Sequence, residues 1–505
     1  MYYLISVSKT DGHYVYLIDD AYIHLAMAKN IALHEVWGIT RYRFSSTSSS
    51  PLFTSLLGLL IRIFGNDDRI SLYVNFFSGM GTVYFLHRYF KDIFRKSRDI
   101  VLSVLFTLFI SVMHLQLLSG MEHVLHVFLF VVSIFCLSRL PDKPAVFGFY
   151  VSLLLMGLVR FESMFYFIVL AFLFVLLQRW KEAGCILLTG FIPVAIFCYF
   201  NYSHDGYLFP NSVVVKGTTL SFDAEFFHQM KSILLDNLLL NISFYKIGFF
   251  PLLISLIIVI RDFRKKTFRN AVQDNMLIIA VSLLMILHSM FADLKGLFRY
   301  EAYLLTGFSM ALIPRLKPLF ENTLYFIRKD KLIAFLVLMN IVLLFYKCSI
   351  AHPMICNGGK SIREQQIQSA RFLHTYYNES KVVANDIGAI TYYTDICVLD
   401  IAGLASVETI PFNRNRRPVD DAYENFLTQY TADNGYDIAI IYDSWLQGHI
   451  PGNWKKAAVL KIENPATVAQ DEVSVYSIQQ GNYRKLKENI RNFRWNKNVR
   501  VTIMD

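Results

Sequence analysis

Ten apolar runs follow one another between Ile70 and Tyr346, and their length leaves the chain few ways to fold. They lie near 70–90, 100–118, 122–138, 145–159, 163–178, 184–200, 244–260, 275–292, 300–314 and 332–347, ten candidate membrane spans of which several are shorter than the about 20 residues a full crossing takes. With 54% hydrophobic and 15% aromatic residues, the chain is too apolar for an ordinary soluble protein, and these runs are where the excess goes. The net charge of +10 could signal nucleic acid, but the basic residues alternate from connection to connection. The connections around 88–99, 139–144, 179–182, 261–274 and 315–331 carry 19 Lys and Arg; the opposing set carries 6. By the positive-inside rule the first set is cytoplasmic, and nucleic acid is not an expected partner. The expected location is a membrane, with Asp19, Asp20 and everything after Tyr346 facing outward. That topology also needs the chain before Ile70 to be outside, and so predicts a first helix upstream of Asp19 that this reading frame does not display.

Three regions follow. Residues 1–69 read as an extracytoplasmic loop with juxtamembrane helices: one over 20–33, capped by Asp19 or Asp20, and one from Pro51 to Phe64, too short to cross a bilayer and placed in the interface. The serine run Ser45 to Ser50 breaks the chain between them. Residues 70–347 form the transmembrane body. Residues 348–505 alternate short strands (382–384, 396–401, 438–442, 458–462, 473–478) with helices near 361–377 and 418–430, which predicts an extracytoplasmic α/β domain. The basic tail from Arg484 to Arg500 reads as a solvated helix face, with anionic lipid or polymer as the alternative contact. The six cysteines have no metal-ligand spacing; Cys348, Cys356 and Cys397 admit one disulfide if their region is outside.

Ionisable residues near span ends are costly and therefore informative. Here they gather on the outward side: Glu122 after Gly120-Met121, Arg160 and Glu162 in a tight turn, Lys216 after Pro210-Asn211, and Arg299 and Tyr300 before Glu301. Each has a plain structural reading as a cap, an ion pair or a snorkelling cation. Together with the Asp19-Asp20 pair, they point to a site. His24, one turn beyond Asp20, could join it on a divalent cation, although a helix-face histidine is more often an ordinary polar neighbour. No Gly-rich phosphate loop or dinucleotide fingerprint occurs, so a nucleotide sugar has no cradle.

Asp19-Asp20-Ala21-Tyr22-Ile23, Ala28-Lys29-Asn30 and Thr47-Ser48-Ser49-Ser50-Pro51-Leu52 resemble the first extracytoplasmic loop of GT-C superfamily glycosyltransferases, closest to the mycobacterial terminal arabinofuranosyltransferase type. Ser119-Gly120-Met121-Glu122, Arg160-Phe161-Glu162, Leu208-Phe209-Pro210-Asn211-Ser212 with Lys216, Arg299-Tyr300, Asp386 to Ile390 and Leu399 to Leu404 continue the series in order. Phe161 departs from the family's usual proline. The resemblance implies a polytopic GT-C-like helical fold with an outward active site, a polyprenyl-phosphate-linked sugar as donor and a glycan of the cell envelope as acceptor. Asp19 or Asp20 would be the base of an inverting transfer, Arg299, Lys216 and Arg160 would bind the donor phosphate, and Glu122, Glu162, Asn211 and Tyr300 would bind substrate. A divalent cation is the one cofactor the reading leaves open. Transfer to a protein or lipid, translocation of a lipid-linked sugar, and a glycan-binding scaffold are the competing readings.

Overall fold

The computed structural model describes residues 1–217, 226–292, 294, 296–414 and 417–505. Each expected apolar run is helical. Ile70–Ile93 opens the body, followed by the bent pair Ser97–Ile110 and Met113–Ser119, then His123–Leu137, Lys143–Val159, Ser163–Leu176 and Trp180–Asp205. After residues 218–225, which lie in the long connection and outside the described residues, come Phe249–Phe263, Met276–Phe291, Ala302–Leu312 and Lys331–Ile362. Two helices among the described residues pass a strict test of length and apolarity, and four pass if each bent pair counts as one span. Leu102, Phe109, Phe147, Leu154, Phe172, Ile192 and Ile196 nevertheless stand exposed on their helices, which suits side chains facing lipid rather than water. The molecule is a polytopic helical membrane protein carrying a small sheet domain.

The bend in the second run sits at Val112, whose φ of 52° is left-handed, an uncommon conformation for a β-branched residue. The last span does not stop at residue 347. Lys331–Ile362 runs on through a wide turn at Arg363–Ile367 into Gln368–Tyr376, a continuous stretch of 46 residues that carries the chain from the body into the sheet domain.

The sheet has six strands, β1 Lys381–Ala384, β2 Cys397–Asp400, β3 Ile438–Ile441, β4 Lys455–Ile462, β5 Glu472–Ser477 and β6 Val499–Ile503, in the order β2-β1-β3-β5-β4-β6. β1 pairs in parallel with both β2 and β3; the remaining pairs are antiparallel. Five strands fall where the sequence predicts them. The sixth lies in the basic tail, where Arg500 alternates with Val499 and Val501 on an edge strand, and the amphipathic helix Tyr483–Asn492 precedes it. All six cysteines are free.

One face of the sheet packs on the N-terminal region. Tyr22, Leu25, Ala26, Phe53 and Leu57 share a single buried core with Val382, Ala384, Ile438, Ile440 and Val475. At its centre the helix Asp20–His34 lies against the short helix Gly388–Tyr392 and holds both ends of it. Asp19 accepts the backbone N–H groups of Gly388 (2.6 Å) and Ala389 (2.8 Å). Buried Lys29 donates to the carbonyls of Tyr392 (2.8 Å), Thr391 and Thr394 (both 3.2 Å). An anion at the N-terminus and a cation at the C-terminus is the arrangement the helix dipole favours. Glycine is needed at 388 for closeness, since a Cβ there would lie 2.1 Å from the Asp19 carbonyl oxygen. Gly388→Ala is therefore expected to cost about 1–3 kcal/mol through forced backbone movement. A lower unfolding midpoint, with faster proteolysis of the sheet domain than of the body, would be the signature.

Candidate active site

Asp20 is the residue after the clamp. On a helix, adjacent side chains point in different directions, so Asp19 and Asp20 take different partners, although both reach the cavity between body and sheet domain. Asp19, 9% exposed, turns to the sheet domain. Asp20, with its side chain 38% exposed, opens onto two cavities.

The first, of about 200 Å³, lies in the helical body. Ile23, Met164, Phe165 and Phe291 give it an apolar wall; Asp20, Arg160, Glu162, Lys216, Arg299 and Tyr300 supply the polar groups. Thr47, Ser48 and Ser49 line it too, so the serine run is a built wall rather than a spacer. Ser48 Oγ meets Thr54 (2.8 Å) and His24 Nδ1 (3.1 Å), and the Ser46 backbone N–H donates to Asp205 (3.1 Å).

Arg299 Nη1 donates to Asp20 at 2.6 Å, and its Nε donates to the Gly296 carbonyl at 2.9 Å. The loop that delivers it is bent left-handed at three successive residues, Gly296, Leu297 and Phe298 (φ 108°, 57° and 60°). Such strain persists only where the surroundings impose it. Gln116 holds the Leu297 carbonyl at 3.0 Å, and buried Lys347 sits 3.7 Å from Glu301 just beyond. Burial alone would raise the Asp20 carboxyl; Arg299 and Lys216 outweigh it and hold it down at about 2. Asp20 is thus an anion across the physiological range.

Arg160 is committed differently. Its Nη1 donates to Glu122 (2.7 Å) and Ser49 (3.2 Å), its Nε to Glu162 (3.0 Å), and its Nη2 also to Glu162. Glu122, fully buried behind the wall, meets His24 Nε2 at 3.1 Å from its other oxygen. Tyr300 separates the two arginines, with both guanidinium carbons over its ring at 5.1 Å (Arg160) and 5.4 Å (Arg299). Asn211 is buried out of reach of the cavity and donates its backbone N–H to Ser46 at 2.9 Å; its short helix Asn211–Lys216 brings exposed Lys216 to the rim. Asp20 and His24 make a poor pair for a cation, because Glu122 and two hydroxyls engage both imidazole nitrogens and Arg299 engages Asp20. Among the described residues, the one group with metal-ligand spacing is Asp421, Glu424 and His449, on the surface of the sheet domain.

The second cavity, of about 280 Å³, lies between body and sheet domain, and Asp20, Ile23, Lys216 and Leu404 form the partition between the two. Asp386 lines it. The Tyr442 hydroxyl lies 2.8 Å from Asp386, 2.6 Å from Gln365 Oε1 and 2.8 Å from Gln366 Nε2. Gln365 and Asp386 both accept from the one phenolic proton, and Gln366 Nε2 also donates to Asp386, at 2.6 Å. Burial and the neighbouring Asp19 outweigh these donors and push the Asp386 carboxyl up to about 8. Lys29 and Asp386 stand in the sequence only as members of short motifs, and nothing there signals that one grips the sheet domain and that burial raises the carboxyl of the other. Folding favours the protonated form of Asp386, so its contribution is full in acid and is lost as pH rises through about 8. The unfolding midpoint should fall progressively between about pH 4 and pH 8 and level off above, and Asp386→Asn, which does not titrate, should flatten that fall in a pH series of melting curves.

This is the GT-C fold. ArnT from Cupriavidus metallidurans in its apo state superposes with a TM-score of 0.53 at 11% identity, covering 95% of this chain and 96% of that one. The same protein bound to undecaprenyl phosphate gives 0.49 at 10% identity (94% and 96%), and the Archaeoglobus fulgidus oligosaccharyltransferase gives 0.43 at 12% identity (99% and 74%). A family profile described as a domain of unknown function (DUF8728) matches residues 360–476, the long helix's end and most of the sheet. No curated protein matches the chain in sequence.

Proposed function

We propose that the protein transfers a sugar from a polyprenyl-phosphate donor to a glycan acceptor on the outer side of a bacterial inner membrane, with inversion at the anomeric carbon. The observation that carries this reading is the position of Asp20: one ionised carboxylate in the partition between two cavities, beside two cations. Donor and acceptor would enter from opposite sides and meet there.

The body cavity suits the donor. Its aromatic and aliphatic wall matches a prenyl chain, and Arg299 and Lys216 stand where a phosphate would need charge neutralised. ArnT, whose apo structure shares this fold, binds undecaprenyl phosphate. In the transfer the acceptor oxygen attacks the anomeric carbon, and the bond from that carbon to the phosphate oxygen breaks. The hydroxyl proton passes to Asp20. The electron pair stays on the departing polyprenyl phosphate, where Arg299 and Lys216 stabilise it. A donor phosphate also competes with Asp20 for Arg299, and each contact it takes raises the basicity of Asp20, so the base strengthens when the donor is in place. Arg160, saturated by Glu122 and Glu162, would shape the cavity instead of binding phosphate. Asp19 would keep Asp20 aimed. An arabinofuranosyl-type sugar and an envelope polysaccharide as acceptor rest on the resemblance of the motifs.

Asp20→Asn, assayed in nanodiscs with a radiolabelled polyprenyl-phosphate sugar and a glycan acceptor, should lower kcat about 10²–10⁴-fold while still binding the donor. Arg299→Ala should lower it about 10²–10³-fold. Undiminished transfer by Asp20→Asn would sink the assignment, and lipid translocation without transfer by the unmodified protein would favour a flippase.

A further inference from the structure

The cavity between body and sheet domain sits at the carboxyl ends of three parallel strands. Asn385 and Asp386 follow β1, Ile401 and Ala402 follow β2, and Trp445 and Leu446 follow β3. The chain leaves β1 to build β2 on one side, then returns across β1 to build β3 on the other. At such a reversal the connecting segments diverge to opposite faces of the sheet and leave a crevice, which is where open α/β sheets bind ligands. In this protein the crevice faces inward and opens on Asp20.

A second observation points to an occupant. Asn385 is 4% exposed and lines the crevice; its Oδ1 accepts the Tyr442 backbone N–H at 2.9 Å, but its Nδ2 has no hydrogen-bond partner. An unpaired buried amide donor costs about 1–3 kcal/mol, so its retention suggests a ligand atom that completes it. Trp445, 37% exposed, offers an aromatic face in the same crevice, and Arg417 and Lys216 stand at its edges. An amide donor, a carboxylate and an accessible indole suit a ring that is apolar on its faces and hydroxylated at its edge. We infer that the crevice at the β1/β3 reversal is the acceptor subsite and takes the terminal sugar of a glycan, with Asn385 Nδ2 donating to a sugar hydroxyl and Trp445 packing on the ring. The inference rests on the glycosyl-transfer reading and adds the acceptor's position, its chemical class and two specificity residues from the sheet domain.

Asn385→Asp keeps the oxygen that accepts from Tyr442, removes the unpaired donor and adds an acid beside Asp386; Trp445→Ala removes the ring, and Trp445→Phe restores an aromatic face. The test uses the full chain in nanodiscs with two probes, undecaprenyl phosphate and oligosaccharides released from the host cell's own envelope polysaccharide. Asn385→Asp and Trp445→Ala should weaken oligosaccharide binding at least about tenfold, one lost hydrogen bond or stacking contact each, with Trp445→Phe intermediate. Undecaprenyl phosphate affinity should stay at the unsubstituted value in all three variants, and the two Trp445 variants should also keep the melting temperature, which separates a lost contact from a lost fold. Oligosaccharide binding unaltered by these substitutions, or no oligosaccharide binding by a protein that binds undecaprenyl phosphate, overturns the inference. Substitution-sensitive oligosaccharide binding without any undecaprenyl phosphate binding supports the sugar site and overturns the donor reading instead.

Discussion

The short helix Gly388–Tyr392, gripped by Asp19 at one end and Lys29 at the other, is the contact on which the remaining geometry depends. Both partners belong to one helix, so the grip fixes the sheet domain's position and its rotation about that helix together. The next side chain in sequence, Asp20, then has its direction chosen for it. Two hydrogen bonds to a buried carboxylate, three from a buried ammonium group and the shared apolar core make this an internal seam of one folded unit. If two reactants meet there as proposed, a cavity lined from both sides needs such a seam, because a displacement of about 1 Å would spoil their approach.

The cations on the body side are divided by the same logic. Arg160 has given all three of its nitrogens to carboxylates and a hydroxyl, while Arg299 holds a single carboxylate that is also exposed to the cavity. The first is a strut, and substituting it would strand buried Glu122 and half-buried Glu162. The second can exchange its partner, since Asp20 gains access to water when Arg299 leaves. Tyr300, between the two guanidinium groups, lets like charges lie close without facing each other.

Much of this was legible in the residue order. The apolar runs gave the helical body, the alternation of strands and helices after residue 377 gave five of six strands, and Asp20, Arg160, Glu162, Lys216, Arg299 and Tyr300 do converge on one cavity. What remained hidden involves partners far apart in sequence. That Asp19 reaches Gly388, that Glu122 pairs with His24, and that Ser49 touches Arg160 follow from tertiary packing, for which a single sequence carries no periodic signal. The split between Asp19 and Asp20 could have been read earlier, since the helical turn alone sends neighbours in different directions. The serine run offered a weaker clue: it lies between apolar segments and lacks the glycine and charge of a solvated linker.

The stretch from Lys331 to Tyr376 gives the molecule a scale. At 1.5 Å per residue its 46 residues would extend about 70 Å, against a hydrocarbon thickness near 30 Å. If one end is seated in the bilayer, the surplus is a mast of helix whose far end is built into the sheet domain. The height at which the crevice opens above the lipid is then set by residue count rather than by loop conformation. On the proposed reading, a glycan seated in that crevice would meet Asp20 at one fixed elevation, and inserting or deleting a turn in this helix would change which reach of glycan it presents.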